Sequence, residues 1–216
     1  MRNTILLLLG ILIFTQCTSR KQPPTPETGD GWLIPVEDIA NLGVSPDPIK
    51  SIDHPVFIPL AQSDLKGSEP VYVLKLDNVI KVYPLSILQA HEIVNDSVSG
   101  NYFAVTYCPV TASGLLWNRK IRGVVTEFGV SGMLYHENLM PYDRRTKSYW
   151  SQMRMDCVHG EYIGERAVTG FLLRTTLETV RNSFPYARIL TDNNGQKGFI
   201  NRKYNKLQQM IPEYFG

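Results

Sequence analysis

The stretch Val71-Tyr72-Val73-Leu74-Lys75-Leu76-Asp77-Asn78-Val79-Ile80-Lys81-Val82-Tyr83 decides the fold class. Two runs rich in β-branched and aromatic residues flank Asp77-Asn78, whose residue types suit a two-residue hairpin turn. Antiparallel pairing is therefore the local rule. Pro84 is pre-set for a first helical position, so a helix is expected over 85–94, with Leu85, Ile87 and Leu88 buried and Asn95-Asp96 ending it. Beyond it, Phe103, Val105 and Tyr107 alternate with Ala104 and Thr106, which marks a strand over 102–107. Further strands are expected at 115–118, 124–130, 149–152 and 188–190. Thr175, with Glu178 three residues on, reads as a capping box for a helix running to Phe184, before Pro185. A last helix is expected over 204–215. On the other side of the hairpin, 32–59 is rich in Pro and Asp and reads as irregular. Many strands, two or three short helices and few crossover helices give an α+β fold, mainly antiparallel β, as a single domain over 32–216.

The chain starts differently. Met1-Arg2-Asn3-Thr4 precedes the apolar run from Ile5 to Phe14, then Thr15-Gln16-Cys17. Spanning a bilayer takes roughly 20 apolar residues, and a run about half that length fits a signal peptide, here 1–16. The junction resembles the lipobox of bacterial lipoproteins, which implies lipidation of Cys17. Residues 17–31 are polar and Pro-rich, and read as a flexible tether. The expectation is an exported protein held to the cell envelope by its lipid. Thr18, where Asp would mark inner-membrane retention, favours the outer membrane, facing the periplasm. Net charge is only +2 and no basic run exceeds two residues, so the electrostatic footprint of nucleic-acid binding is missing.

With Cys17 lipidated, Cys108 and Cys157 remain, and an oxidising compartment leaves a disulfide between them open. Other motifs stand along the body: Ser51-Ile52-Asp53-His54-Pro55, His91-Glu92-Ile93-Val94-Asn95-Asp96, Thr106-Tyr107-Cys108-Pro109-Val110-Thr111, Tyr142-Asp143-Arg144-Arg145-Thr146 and Tyr149-Trp150-Ser151-Gln152. Together they resemble an uncharacterised family of exported bacterial and archaeal proteins, a domain of unknown function, over 51–190. The resemblance implies a shared fold and site, but no activity. Many members carry a second Cys at the position of Thr111, so the Thr here speaks against a dithiol mechanism.

Cys108 is the sharpest chemical candidate. It ends a strand just before Pro109 and the small polar run Thr111-Ala112-Ser113-Gly114. A reactive thiolate needs a nearby cation or helix N-terminus, which His91 or Arg144 could supply. A buried inert thiol is the alternative. His91 and Asn95 stand one helical turn apart on the expected helix, with Glu92 or Asp96 able to orient the imidazole. Thr111, Ser113, Asn95, Asp96, Asp143, Arg144, Trp150 and Gln152 are the candidate ligand-binding residues. Arg144 offers a planar fork for an anion, or else pairs within the fold. Trp117 and Trp150 read as core or as a platform for a ring. Two readings follow. One is a thiol enzyme or accessory centred on Cys108, with His91 and Glu92 as acid-base partners. The other is a non-catalytic lipoprotein that binds a small ligand, or copper or zinc through Cys108 and His91, with His136, His159 and Met133 as further donors. A protein partner is not legible.

Overall fold

The computed structural model describes residues 31–192. The signal segment, Cys17, the tether as far as Asp30 and the expected helix 204–215 lie outside the described residues. Among the described residues are sixteen strands and two α-helices, α1 (Leu85–His91) and α2 (Leu177–Ser183). Between strands, pairing is antiparallel except where Arg188–Thr191 runs parallel to Val79–Pro84, and one isolated parallel bridge joins Ile52 to Val94. The α+β expectation holds in this coarse, β-rich form.

Three sheets stack. The central one has four strands in the order Thr169–Gly170, Ser113–Asn118, Asn101–Cys108, Ile93–Val98. Side chains alternate across its pleat, and both faces are buried. Val94, Val98, Phe103, Val105, Tyr107 and Leu116 pack on Tyr72, Leu74 and Tyr83 and on helix α1. On the opposite face Ile93, Ala104, Cys108 and Trp117 pack on Phe128, Val130, Leu139 and Trp150. Burial on both faces specifies the register, because a one-residue slip would exchange the two sets.

The hairpin read from sequence, Pro70–Leu76 with Val79–Pro84, belongs to a five-stranded sheet whose outer face is covered by Leu177 and Val180 of α2. Gly114 of the central sheet lets this hairpin approach closely: a Cβ there would stand 2.8 Å from the Tyr72 ring. The third sheet runs in the order Ile39–Asn41, Phe128–Tyr135, Asn138–Asp143, Tyr149–Ser151, Asp156–His159. Leu33 and Ile34 cover its outer face against Met140 and Val158. Among the described residues no helix is long and apolar enough to cross a membrane.

Several expectations are corrected. Helix α1 stops at His91, because Glu92 takes φ 58° and ψ −31° and turns the chain. Ile93–Val98 is then a strand paired with Asn101–Cys108, so Asn95 and Asp96 are not helical neighbours of His91. The β-branched Ile93, Val94 and Val98 explain the switch. Helix α2 is capped by Thr176, whose Oγ1 accepts from the Thr179 N–H at 3.4 Å, while Thr175 lies in a strand opposite Val71. The strand expected over 124–130 is broken into Val124–Val125 and Phe128–Tyr135. The irregular stretch contributes strands Ile39–Asn41 and Val56–Pro59, each held by a partner far away in sequence.

Candidate functional site

Cys108 is the last residue of its strand. Pro109 cannot extend the ladder, so the chain turns through Pro109–Ala112 and returns at Ser113, the cross-strand partner of Cys108. Directly opposed residues share a face, so both side chains look toward the third sheet. The Cys108 thiol is 1% exposed and donates to the Glu137 carbonyl at 3.5 Å. On its other side the Tyr107 N–H donates to the Glu92 carbonyl at 2.7 Å. His91 and Cys108 flank that bond, one residue beyond each partner.

The His91 ring is buried, and its Nδ1 lies 2.8 Å from the Lys50 carbonyl. A carbonyl only accepts, so Nδ1 carries a proton, and in the neutral ring Nε2 is then the acceptor, the tautomer of a base or ligand imidazole. The partly buried Glu92 carboxyl has no partner among the described residues, and burial pushes it up from 4.5 to about 8. Three loops meet here: the helix end at Glu92, the turn with Ala112, and the hairpin tip His136-Glu137. All four residues have positive φ without being glycine. Backbone strain of this kind gathers where the surrounding structure holds a site in place.

Beside Cys108 lies a hydroxyl and carboxamide cluster. Asn138 Nδ2 donates to Thr111 Oγ1 at 2.7 Å and to Ser113 Oγ at 3.0 Å, and the two hydroxyls are 2.8 Å apart. Gln152 Nε2 donates to the same Ser113 Oγ at 3.0 Å and faces the Ser113 carbonyl at 3.4 Å. Thr111, Ser113 and Gln152 were expected as ligand contacts. Asn138 was missed, because it stands in no motif.

Arg144 is tied elsewhere. Its Nη1 meets Asp53 at 2.6 Å and Glu127 at 3.1 Å, and its Nη2 meets Ser51 Oγ at 2.8 Å and Asp47 at 3.3 Å. Ser51 Oγ in turn donates a hydrogen bond to Asp53. Burial would raise the Asp53 carboxyl, but hydrogen bonds from Arg144, Asn95 and Ser51 outweigh it and hold the carboxyl below its ordinary value. Asn95 is buried and triply bonded, donating to Asp53 and the Phe128 carbonyl and accepting from the Phe128 N–H. Its cross-strand partner Ala104 is four residues from Cys108, about 13 Å along the strand. The Arg144 fork is thus filled by the protein's own carboxylates and does not serve as a counter-charge for Cys108.

The remaining candidates are structural in their contacts. Asp96 lies on the opposite face of the central sheet, held by Lys81 Nζ at 2.7 Å and by the Tyr83 hydroxyl at 2.7 Å. Asp143 is fully buried and accepts from the Thr146 N–H and Oγ1 and from Trp150 Nε1, fixing the turn that aims Arg144. Trp117 and Trp150 are each 1% exposed and meet edge to face in the core, so they are no open platform. Their edges line a cleft of about 100 Å³ with Arg122 and Glu165. Cys108 and Cys157 share a core cluster, yet both are free thiols, so the disulfide left open by the sequence is not formed. Burial pushes the Cys157 thiol up to about 12. Among the described residues no group of three or more His, Cys, Asp or Glu could hold a metal ion. His136 is largely exposed beside Asp38, and His159 stacks on Trp32.

No curated protein and no solved structure matches the chain. A sequence model of one family matches residues 46–209, which contain both the Cys108 cluster and the Arg144 cluster. The chain belongs to that family, described as protein of unknown function (DUF3179).

Proposed function

We propose that this is an exported, lipid-anchored envelope protein whose chemistry centres on the Cys108 thiol, as an enzyme or as an accessory to one. His91 Nε2 serves as the base, Glu92 as a proton donor near neutral pH, and the Thr111–Ser113–Asn138–Gln152 cluster as the ligand contact. The observation that carries this reading is the convergence of three positive-φ loops on one strand end, with a thiol, an imidazole oriented through its Nδ1 and a carboxyl without a partner among the described residues. A carboxyl poised near neutrality is what acid–base catalysis requires. The leader, Cys17 and the polar tether support the envelope location. Arg144 has a different part in this reading: it holds Ser51, Asp53 and, through Asn95, the middle of the central sheet.

Native alkylation of the full chain with iodoacetamide, followed by peptide mapping, tests the proposal. Cys157 is the internal control, being equally buried but away from the hydroxyl and carboxamide cluster. Cys108 should be modified near neutral pH well before Cys157. Reaction of both thiols only after unfolding would refute the reading.

A further inference from the structure

Proton counting in the cluster beside Cys108 fixes which way its carboxamides face. Three contacts join Asn138, Thr111 Oγ1 and Ser113 Oγ, and each needs one hydrogen. The two hydroxyls supply only two. The third must come from the amide, so the Asn138 nitrogen faces the hydroxyls. Gln152 is fixed independently, because a flipped amide would set its oxygen against the Ser113 carbonyl. Ser113 Oγ then accepts from both amides and donates to Thr111, which leaves the Thr111 hydrogen unused. Asn138 Oδ1 and Gln152 Oε1 are buried with no donor among the described residues. Asn138 is 4% exposed and Gln152 0%. A buried acceptor left unpaired is destabilising, so two in one cluster point to a missing partner.

We propose that these two oxygens, with the Thr111 hydroxyl, bind a primary carboxamide next to the Cys108 thiol. The –NH₂ of the amide would donate to Asn138 Oδ1 and Gln152 Oε1, and its carbonyl would accept from Thr111. The four cluster side chains are uncharged, which suits a neutral group over an ammonium. Thr111 and Ala112 lie at the surface, so the Pro109–Ala112 turn is the way in. This rests on the thiol reading above and names the substrate class for it.

Two alkylating reagents of nearly equal size separate the possibilities. Iodoacetamide carries the –NH₂ and iodoacetate a carboxylate. With either, the Cys108 sulfur displaces iodide, an S–C bond forms and the thiol proton passes to buffer. The rate ratio of iodoacetamide to iodoacetate at Cys108 in the native full chain should exceed the ratio in urea by about tenfold. Asn138→Leu and Gln152→Met should each lower it toward the unfolded value. An equal ratio in both states overturns the carboxamide site while leaving the thiol reading intact. Should neither reagent react with folded protein, the thiol reading fails, and binding is decided by titration with acetamide and acetate. Side-chain ¹⁵N–¹H signals of Asn138 and Gln152 that shift with acetamide and not with acetate support the site. The absence of any acetamide-dependent shift, as for a cluster satisfied by water only, refutes it.

Discussion

Glu92→Gln should stabilise this protein, and should do so only above mildly acidic pH. The carboxyl is partly buried and without a partner among the described residues, and burial raises it from 4.5 to about 8. The sign follows from linkage. Below about pH 4 both folded and unfolded chains hold the proton, and the residue contributes nothing to the pH dependence. Between there and about pH 8 the unfolded chain has released a proton that the folded chain keeps, so stability falls as pH rises. Above about pH 8 both are ionised and the full penalty of a buried charge is present. A displacement of this size corresponds to about 5 kcal/mol. Water reaches a partly exposed carboxyl and screens it, so about 2–3 kcal/mol is the expected difference. Gln keeps the shape and removes the charge. Urea denaturation midpoints at about pH 4, 6 and 8 measure the effect: the two proteins should coincide at the acid end and diverge progressively. Parallel curves over that range would refute the reasoning, since they would mean that Glu92 ionises in the fold as it does in water.

Three other outcomes are expected. Asn95→Ala strips two donors and an acceptor from a buried site and leaves the Phe128 N–H and carbonyl unpaired; a loss of about 3–5 kcal/mol is expected by chemical denaturation. Arg144→Ala leaves Asp47, Asp53 and Glu127 facing one another, with a lowered Tm that added salt partly restores, and Arg144→Lys does not rescue it because an ammonium cannot span Asp53 and Ser51 together. In the wild type the Asp53 contribution is present above the ordinary carboxylate value and lost as pH falls below about 4, so the Arg144 variants should lack that acid limb. Gly114→Ala drives a Cβ against the Tyr72 ring and should cost about 1–3 kcal/mol in thermal unfolding while leaving secondary structure unchanged by circular dichroism.

The parts of the fold that sequence reveals are those set by neighbours in the chain. The hairpin of Pro70–Leu76 and Val79–Pro84 is legible because Asp77-Asn78 can only turn between two β-branched runs. The strand end at Cys108 is legible because Pro109 stops the ladder. What stays hidden depends on distant partners. Nothing local to Glu92 announces a positive φ, where Gly or Asn is usual, so the helical reading runs on into what is the strand Ile93–Val98. The sequence leaves the Arg144 fork open between an anion and partners within the fold, because Asp47, Asp53 and Glu127 come from three separate segments. Asn138 gives no signal at all, since its role comes from a hairpin tip that packs against another sheet.

The strand Val56–Pro59 has a single neighbour in its sheet, Arg188–Thr191, more than a hundred residues later in the chain. Its partner also pairs in parallel with Val79–Pro84. The sheet therefore cannot close until nearly all of the described chain has emerged. Such long-range closure makes folding slow, on the order of milliseconds to seconds. Local pairs such as Pro70–Leu76 with Val79–Pro84 can form early, but Val56–Pro59 must wait, and the act that completes its sheet is the arrival of residues 188–191.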